Sequence, residues 1–72
     1  QGFDLIFANI VAQIIKEMAP ILYSALKEGG TLLASGILVS REEEVKEALL
    51  EAGFRYRVTH TDEEWVCMEW TK

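Results

Sequence analysis

The chain opens on a near-continuous apolar run, Phe3 to Ala8, interrupted only by Asp4 and closed by the polar Asn9. Such a run suits a parallel strand covered on both faces, with Asp4 close enough to the start to reach water. From Val11 the spacing changes. Val11, Ile14, Ile15, Met18, Leu22, Ala25 and Leu26 recur at intervals of three and four, which marks one apolar side of a helix. Pro20 lies inside that pattern and has no amide hydrogen for an interior turn, so two helical segments are expected, with Pro20 in the first turn of the second. Gly29-Gly30 is the expected stop, with Lys27 near the negative end of the helix.

Thr31 to Ser35 reads as a second short strand that closes on Gly36. Ser40 and Glu43 have capping-box spacing, so the next helix is expected to begin at Arg41. Val45, Ala48, Leu49 and Ala52 give it one apolar side, Gly53 stops it, and Glu42 to Glu44 complement its dipole. The remainder alternates. Phe54, Tyr56 and Val58 share one face, with Arg55, Arg57 and Thr59 on the other. Beyond a polar turn, His60–Glu63, the residues Trp65, Cys67 and Glu69 oppose Val66, Met68 and Trp70, which predicts an antiparallel hairpin. The order strand, helix, strand, helix, strand, strand is that of an α/β chain. Right-handed crossovers make the first three strands parallel and run the last back against them. That is the second half of a doubly wound sheet.

Seventy-two residues allow one small domain at most, and the strand that begins almost at the first residue suggests a piece of a longer protein. A net charge of −5 and a pI near 4.7 argue against non-specific nucleic-acid binding. The single cysteine cannot form an internal disulfide, and no apolar run is long enough for a membrane span. A cytoplasmic location is the expectation.

In open α/β sheets ligands bind beyond the carboxyl ends of the parallel strands. Asn9, a lone polar residue where the first strand turns into a helix, is therefore the first candidate. Asn is also a preferred helix cap, and spacing alone favours that role. Ile10 and Ala12 follow at the helix start, where they either line the pocket or pack in the core. Ser35 and Gly36 end the neighbouring strand and belong at the same rim, although Gly36 also suits a tight turn. His60 reads as a solvated loop histidine, remote from Asn9 or at the sheet edge, and Cys67 as a buried, inert thiol. Asp62, Glu63 and Glu64 have no metal-ligand spacing and read as a solvated turn. Trp65 and Trp70 could stack on a substrate or adenine ring; otherwise Trp65 is expected to cover the helix facing the sheet, and Trp70, near the terminus, to pack where the rest of the domain would be.

The segments FDLIFANI, EMAP, LKEGGTLLASGIL, LLEAGF and EEWVCMEW, in that order over nearly all of the chain, resemble the C-terminal half of the bacterial ribosomal-protein methyltransferases of the PrmA type. FDLI and LKEGG are common to many class I methyltransferases, whereas ANI, SGIL and EWV together are narrower. The resemblance implies the fourth to seventh strands of a Rossmann-like sheet, the last antiparallel and inserted beside its neighbour. It implies S-adenosylmethionine as methyl donor and amino groups of a large-subunit ribosomal protein as acceptor, without a metal. It makes Asn9 the catalytic residue, with Asn9 and Ile10 on the cofactor side and Ser35 and Gly36 on the substrate side. Residues 1–72 would form the C-terminal part of one catalytic domain, lacking the glycine-rich loop and any N-terminal domain, so the isolated piece is not expected to turn over. Two other readings remain. One is a non-catalytic α/β module that binds or self-associates through an exposed sheet edge; the other is a class I methyltransferase acting on a small molecule.

Overall fold

The computed structural model describes residues 2–72. Strand β1 (Phe3–Asn9) leads through helix α1 (Ala12–Ala25) into strand β2 (Leu26–Leu38), a short 3-10 turn (Val39–Arg41), helix α2 (Glu42–Ala52) and the hairpin β3 (Arg55–Asp62) and β4 (Trp65–Thr71). The sheet order is β1-β2-β4-β3. β1 and β2 are parallel, whereas β4 runs antiparallel to both β2 and β3. The last strand is thus inserted between its two predecessors, and the α/β architecture expected from the residues is the one observed.

Both helices lie on one face of the sheet. Ile15, Ala19 and Leu22 of α1 and Val45 and Leu49 of α2 are buried in one cluster with Leu32, Ala34, Met68 and Trp70. Each such aliphatic side chain removed from water contributes roughly 1.5–3 kcal/mol, so this single layer accounts for most of the apolar stabilisation. On the opposite face Phe3, Leu5 and Phe7 of β1 are 63%, 56% and 61% exposed. The apolar run of β1 is therefore covered on one face only, because β1 is an edge strand and both helices pack on the other side. Asp4 is exposed as expected and pairs with Lys27 at 2.7 Å.

The first helix differs from expectation in three ways. It is one element, with Pro20 inside it. Pro20 is exposed, while the buried residues Ile15, Ala19 and Leu22 run past it and hold both halves against the sheet. The helix ends at Ala25, without a glycine: Leu26 is already extended, and its burial in the core carries the chain directly into β2. Gly29 and Gly30 belong to β2, where their backbone pairs with Lys72. The buried stripe is also narrower than the periodicity suggests, since Val11 and Ile14 are exposed.

The expected capping box does not form. Arg41 is the N-cap of α2 and no side chain caps it, because Val39–Arg41 winds as a 3-10 turn before the helix starts. Gly53 does stop α2, at φ 115°. In β3 the alternation breaks between Tyr56 and Val58, where the register shifts. Tyr56 pairs with Trp70 on the helix side, but Val58 pairs with Glu69 on the bare side, so Phe54 and Tyr56 do not share a face with Val58. Thr59 joins Tyr56 instead, and their hydroxyls lie 2.6 Å apart. One extra residue in a strand exchanges the faces of all that follow.

Candidate functional site at the carboxyl ends of the parallel strands

Asn9 is the last residue of β1, and its neighbour in register on β2 is Ser35. Two residues further on the chain enters α1, whose N-cap is Val11 and carries no side-chain hydrogen bond. Asn9 is therefore not the helix cap. Its amide is exposed and forms no hydrogen bond with any side chain or backbone group among the described residues. An open cavity of about 410 Å³ lies at this point, lined by Asn9, Ile10, Val11, Gly36 and Trp65. A second, of about 180 Å³, shares Val11, Gly36 and Trp65 and adds Ala12, Leu38 and Arg41. The walls are mostly apolar, with one amide in the first and one guanidinium in the second.

Three of the four residues expected at the site, Asn9, Ile10 and Gly36, line the first cavity. Ser35 stands beside Asn9 in register without lining it. Gly36 does not end its strand in a turn. It sits within β2, which continues to Leu38. Between Ala34 and Ile37 the pairing with β4 shifts register, and Gly36 takes a φ of 78° there.

Arg41 was not expected at this rim, and Trp65 only as a ring that could stack on a ligand. β4 runs antiparallel, so it starts at the end where β1 and β2 finish, and its first residue, Trp65, pairs with Leu38. Trp65 is 46% exposed and lines the cavities at this rim instead of covering the helix. The hairpin turn is at the same end, where Val39 N–H donates to Glu64 O at 2.8 Å. His60 lies within β3 opposite Cys67 and not in that turn. Cys67 is half-buried, on the face that carries no helix. Trp70 does not face outward toward the rest of the domain: it is fully buried in the core under the two helices. Among the described residues no group of three or more His, Cys, Asp or Glu side chains is arranged to hold a metal ion.

Residues 1–72 match, over their whole length, the family described as ribosomal protein L11 methyltransferase (PrmA). The chain belongs to this family. It is 44% identical over 94% of its length to the ribosomal protein L11 methyltransferase of Desulforapulum autotrophicum, of which it covers 22%. It is 51% identical over 76% of its length to that of Carboxydothermus hydrogenoformans, covering 18% of it. The crystal structure of the ribosomal protein L11 methylase from Lactobacillus delbrueckii subsp. bulgaricus superimposes with a TM-score of 0.93 at 32% identity, over 99% of this chain and 37% of that one. The PrmA resemblance carried by ANI, SGIL and EWV is thus correct. The chain spans about a fifth of the length of the curated relatives it matches.

Proposed function

We propose that this chain is the C-terminal part of the catalytic domain of a cytoplasmic, S-adenosylmethionine-dependent N-methyltransferase whose acceptor is an amino group of a large-subunit ribosomal protein. The observation that carries this reading is the unpartnered amide of Asn9 at the mouth of two parallel strands, in a chain of the PrmA family. The exposed side of β1, with Phe3, Leu5 and Phe7, is where the rest of the same domain would pack.

S-adenosylmethionine, when bound, supplies a methyl group on a positively charged sulfur. The residues present fit the methyl-donating end of such a group: apolar walls, one amide oxygen, and no carboxylate lining the first cavity. Asn9 and Ile10 would hold it, and the remaining contacts would come from outside residues 1–72. The acceptor must be a neutral amine, because an ammonium has no lone pair to give. The Asn9 carbonyl oxygen accepts a hydrogen bond from the amine N–H and so fixes the direction of its lone pair. Val11 and Trp65 give the site apolar walls, and once an acceptor covers them the lost water favours the uncharged amine. Ser35 and Gly36 belong to the acceptor side. Alignment and desolvation of this kind can supply several powers of ten without metal or covalent intermediate.

The test is transfer of radiolabelled methyl groups from S-adenosylmethionine by the full-length protein to purified ribosomal protein L11. Label on the protein's amino groups is expected. Donor binding by calorimetry without labelling of this acceptor would transfer the reading to a small-molecule acceptor, and no donor binding at all would reject it.

A further inference from the structure

β2 does not run straight past Asn9. Ala34 pairs with Met68 and Ile37 with Val66, so an advance of three residues on β2 matches one of two on β4, and Gly36 sits in the resulting bulge at φ 78°. A Cβ at Gly36 would run into Asn9 Oδ1, and would stand 3.6 Å from Asn9 Cγ and 3.7 Å from the Ile10 amide nitrogen. The amide oxygen of Asn9 thus occupies the volume that a side chain at position 36 would fill. No hydrogen bond among the described residues holds that oxygen. It lies in the space that Gly36 leaves free beside the bulge. Bulges are over-represented next to active sites, and this one leaves room for the Asn9 amide by carrying no Cβ at Gly36.

We propose that Gly36 is a positioning residue for methyl transfer: the absence of its side chain lets the Asn9 amide oxygen lie against the β2 bulge, and any side chain there turns the amide away. The proposal rests on the reading of Asn9 as the group that orients the acceptor amine. It differs from a purely conformational role for Gly36. The left-handed φ alone would be relieved by asparagine, the residue other than glycine that visits this region most readily, whereas asparagine still carries the Cβ.

The experiment compares Gly36→Ala and Gly36→Asn in the full-length protein, alone and combined with Asn9→Ala. Methyl-transfer kinetics and the side-chain amide signal of Asn9 in nitrogen-15 NMR spectra are the readouts. Both single variants at position 36 are expected to lower kcat about 10- to 100-fold, the scale of a misplaced reacting group, with KM for donor and acceptor unchanged. Neither should lower kcat further in the Asn9→Ala background, and the Asn9 amide signal should move in both. Wild-type turnover in Gly36→Asn, or an undiminished further loss in the Asn9→Ala background, would overturn the proposal. If Gly36→Ala does not fold, Gly36→Asn carries the test. If Asn9→Ala by itself leaves turnover unchanged, the site reading has failed. The positioning role falls with it, whereas an unmoved amide signal while Asn9→Ala is impaired overturns the positioning role alone.

Discussion

Lys16 on α1 and Glu44 on α2 form an ion pair of 2.9 Å between the two helices. Arg41 closes on the same carboxylate in a two-pronged contact, with Nε and Nη2 each 2.7 Å from a different Glu44 oxygen. Hydrogen bonds from Arg41 first and Lys16 second hold the Glu44 carboxyl down from its usual 4.5 to about 2. A carboxyl depressed in the folded state contributes stability above its unfolded pKa and loses that contribution as pH falls through the folded value. Glu44→Gln should therefore lower the melting temperature of the full-length protein only slightly, by about 1–2 °C at pH 7. The gap between variant and wild type should close between about pH 4.5 and pH 2 in thermal melts. The Lys16 and Glu44 side chains are 33% and 36% exposed, so 1 M salt should also narrow it. A gap that persists undiminished at pH 2 would contradict the assignment.

Asn9 is exposed and unpartnered, which separates its chemistry from its structural weight. Asn9→Ala should change stability by less than ~0.5 kcal/mol, the usual range for a surface substitution. Methyl transfer by the full-length protein should nevertheless fall by about 100-fold, chiefly in kcat. Denaturant unfolding and single-turnover transfer measure the two quantities separately. Wild-type turnover would remove Asn9 from the site.

Pro20 is a cost that the fold carries. It lies inside a continuous helix, exposed, with no amide to donate to the preceding turn. An interior proline disfavours a helix by about 3 kcal/mol, partly offset because it also restricts the unfolded chain. Pro20→Ala should stabilise the protein by about 1–2 kcal/mol, read from denaturant midpoints. A destabilised variant would mean that the ring packs against something outside residues 1–72.

What could be read from the residues is what repeats. The run from Phe3 to Ala8, the spacing of Val45 and Leu49, the stop at Gly53 and the alternation of Val66, Met68 and Trp70 all survive in the structure. The errors concentrate where one residue breaks a period. The bulges beside Gly36 and between Tyr56 and Val58 are single-residue insertions against a partner strand, and nothing in the pattern of β2 or β3 alone announces a partner. The end of α1 is likewise decided by Leu26, whose burial against distant strands outweighs the punctuation of Gly29-Gly30. Asn9 was legible because strand ends and polar residues are local features. Trp65 was read chiefly as a helix cover, although the antiparallel direction assigned to β4 already brings its first residue to the rim where β1 finishes.

Trp70 tests how the core tolerates an unpaired donor. It is fully buried and pairs across the sheet with Leu32 and Tyr56. Its ring meets Tyr56 at 5.2 Å and Phe54 at 6.5 Å in edge-on geometry, yet its indole Nε1 finds no hydrogen-bond partner among the described residues. Trp70→Ala should cost ~3–5 kcal/mol, as removal of a large core aromatic does. Trp70→Phe keeps an aromatic ring against Tyr56 and Phe54 and removes the unsatisfied donor, whose burial costs about 1–3 kcal/mol. That relief offsets much of the lost volume, so Trp70→Phe should fall within ~1.5 kcal/mol of wild type in denaturant unfolding. A loss equal to that of Trp70→Ala would mean that the indole's volume, and not the relief of its unpaired donor, decides the cost.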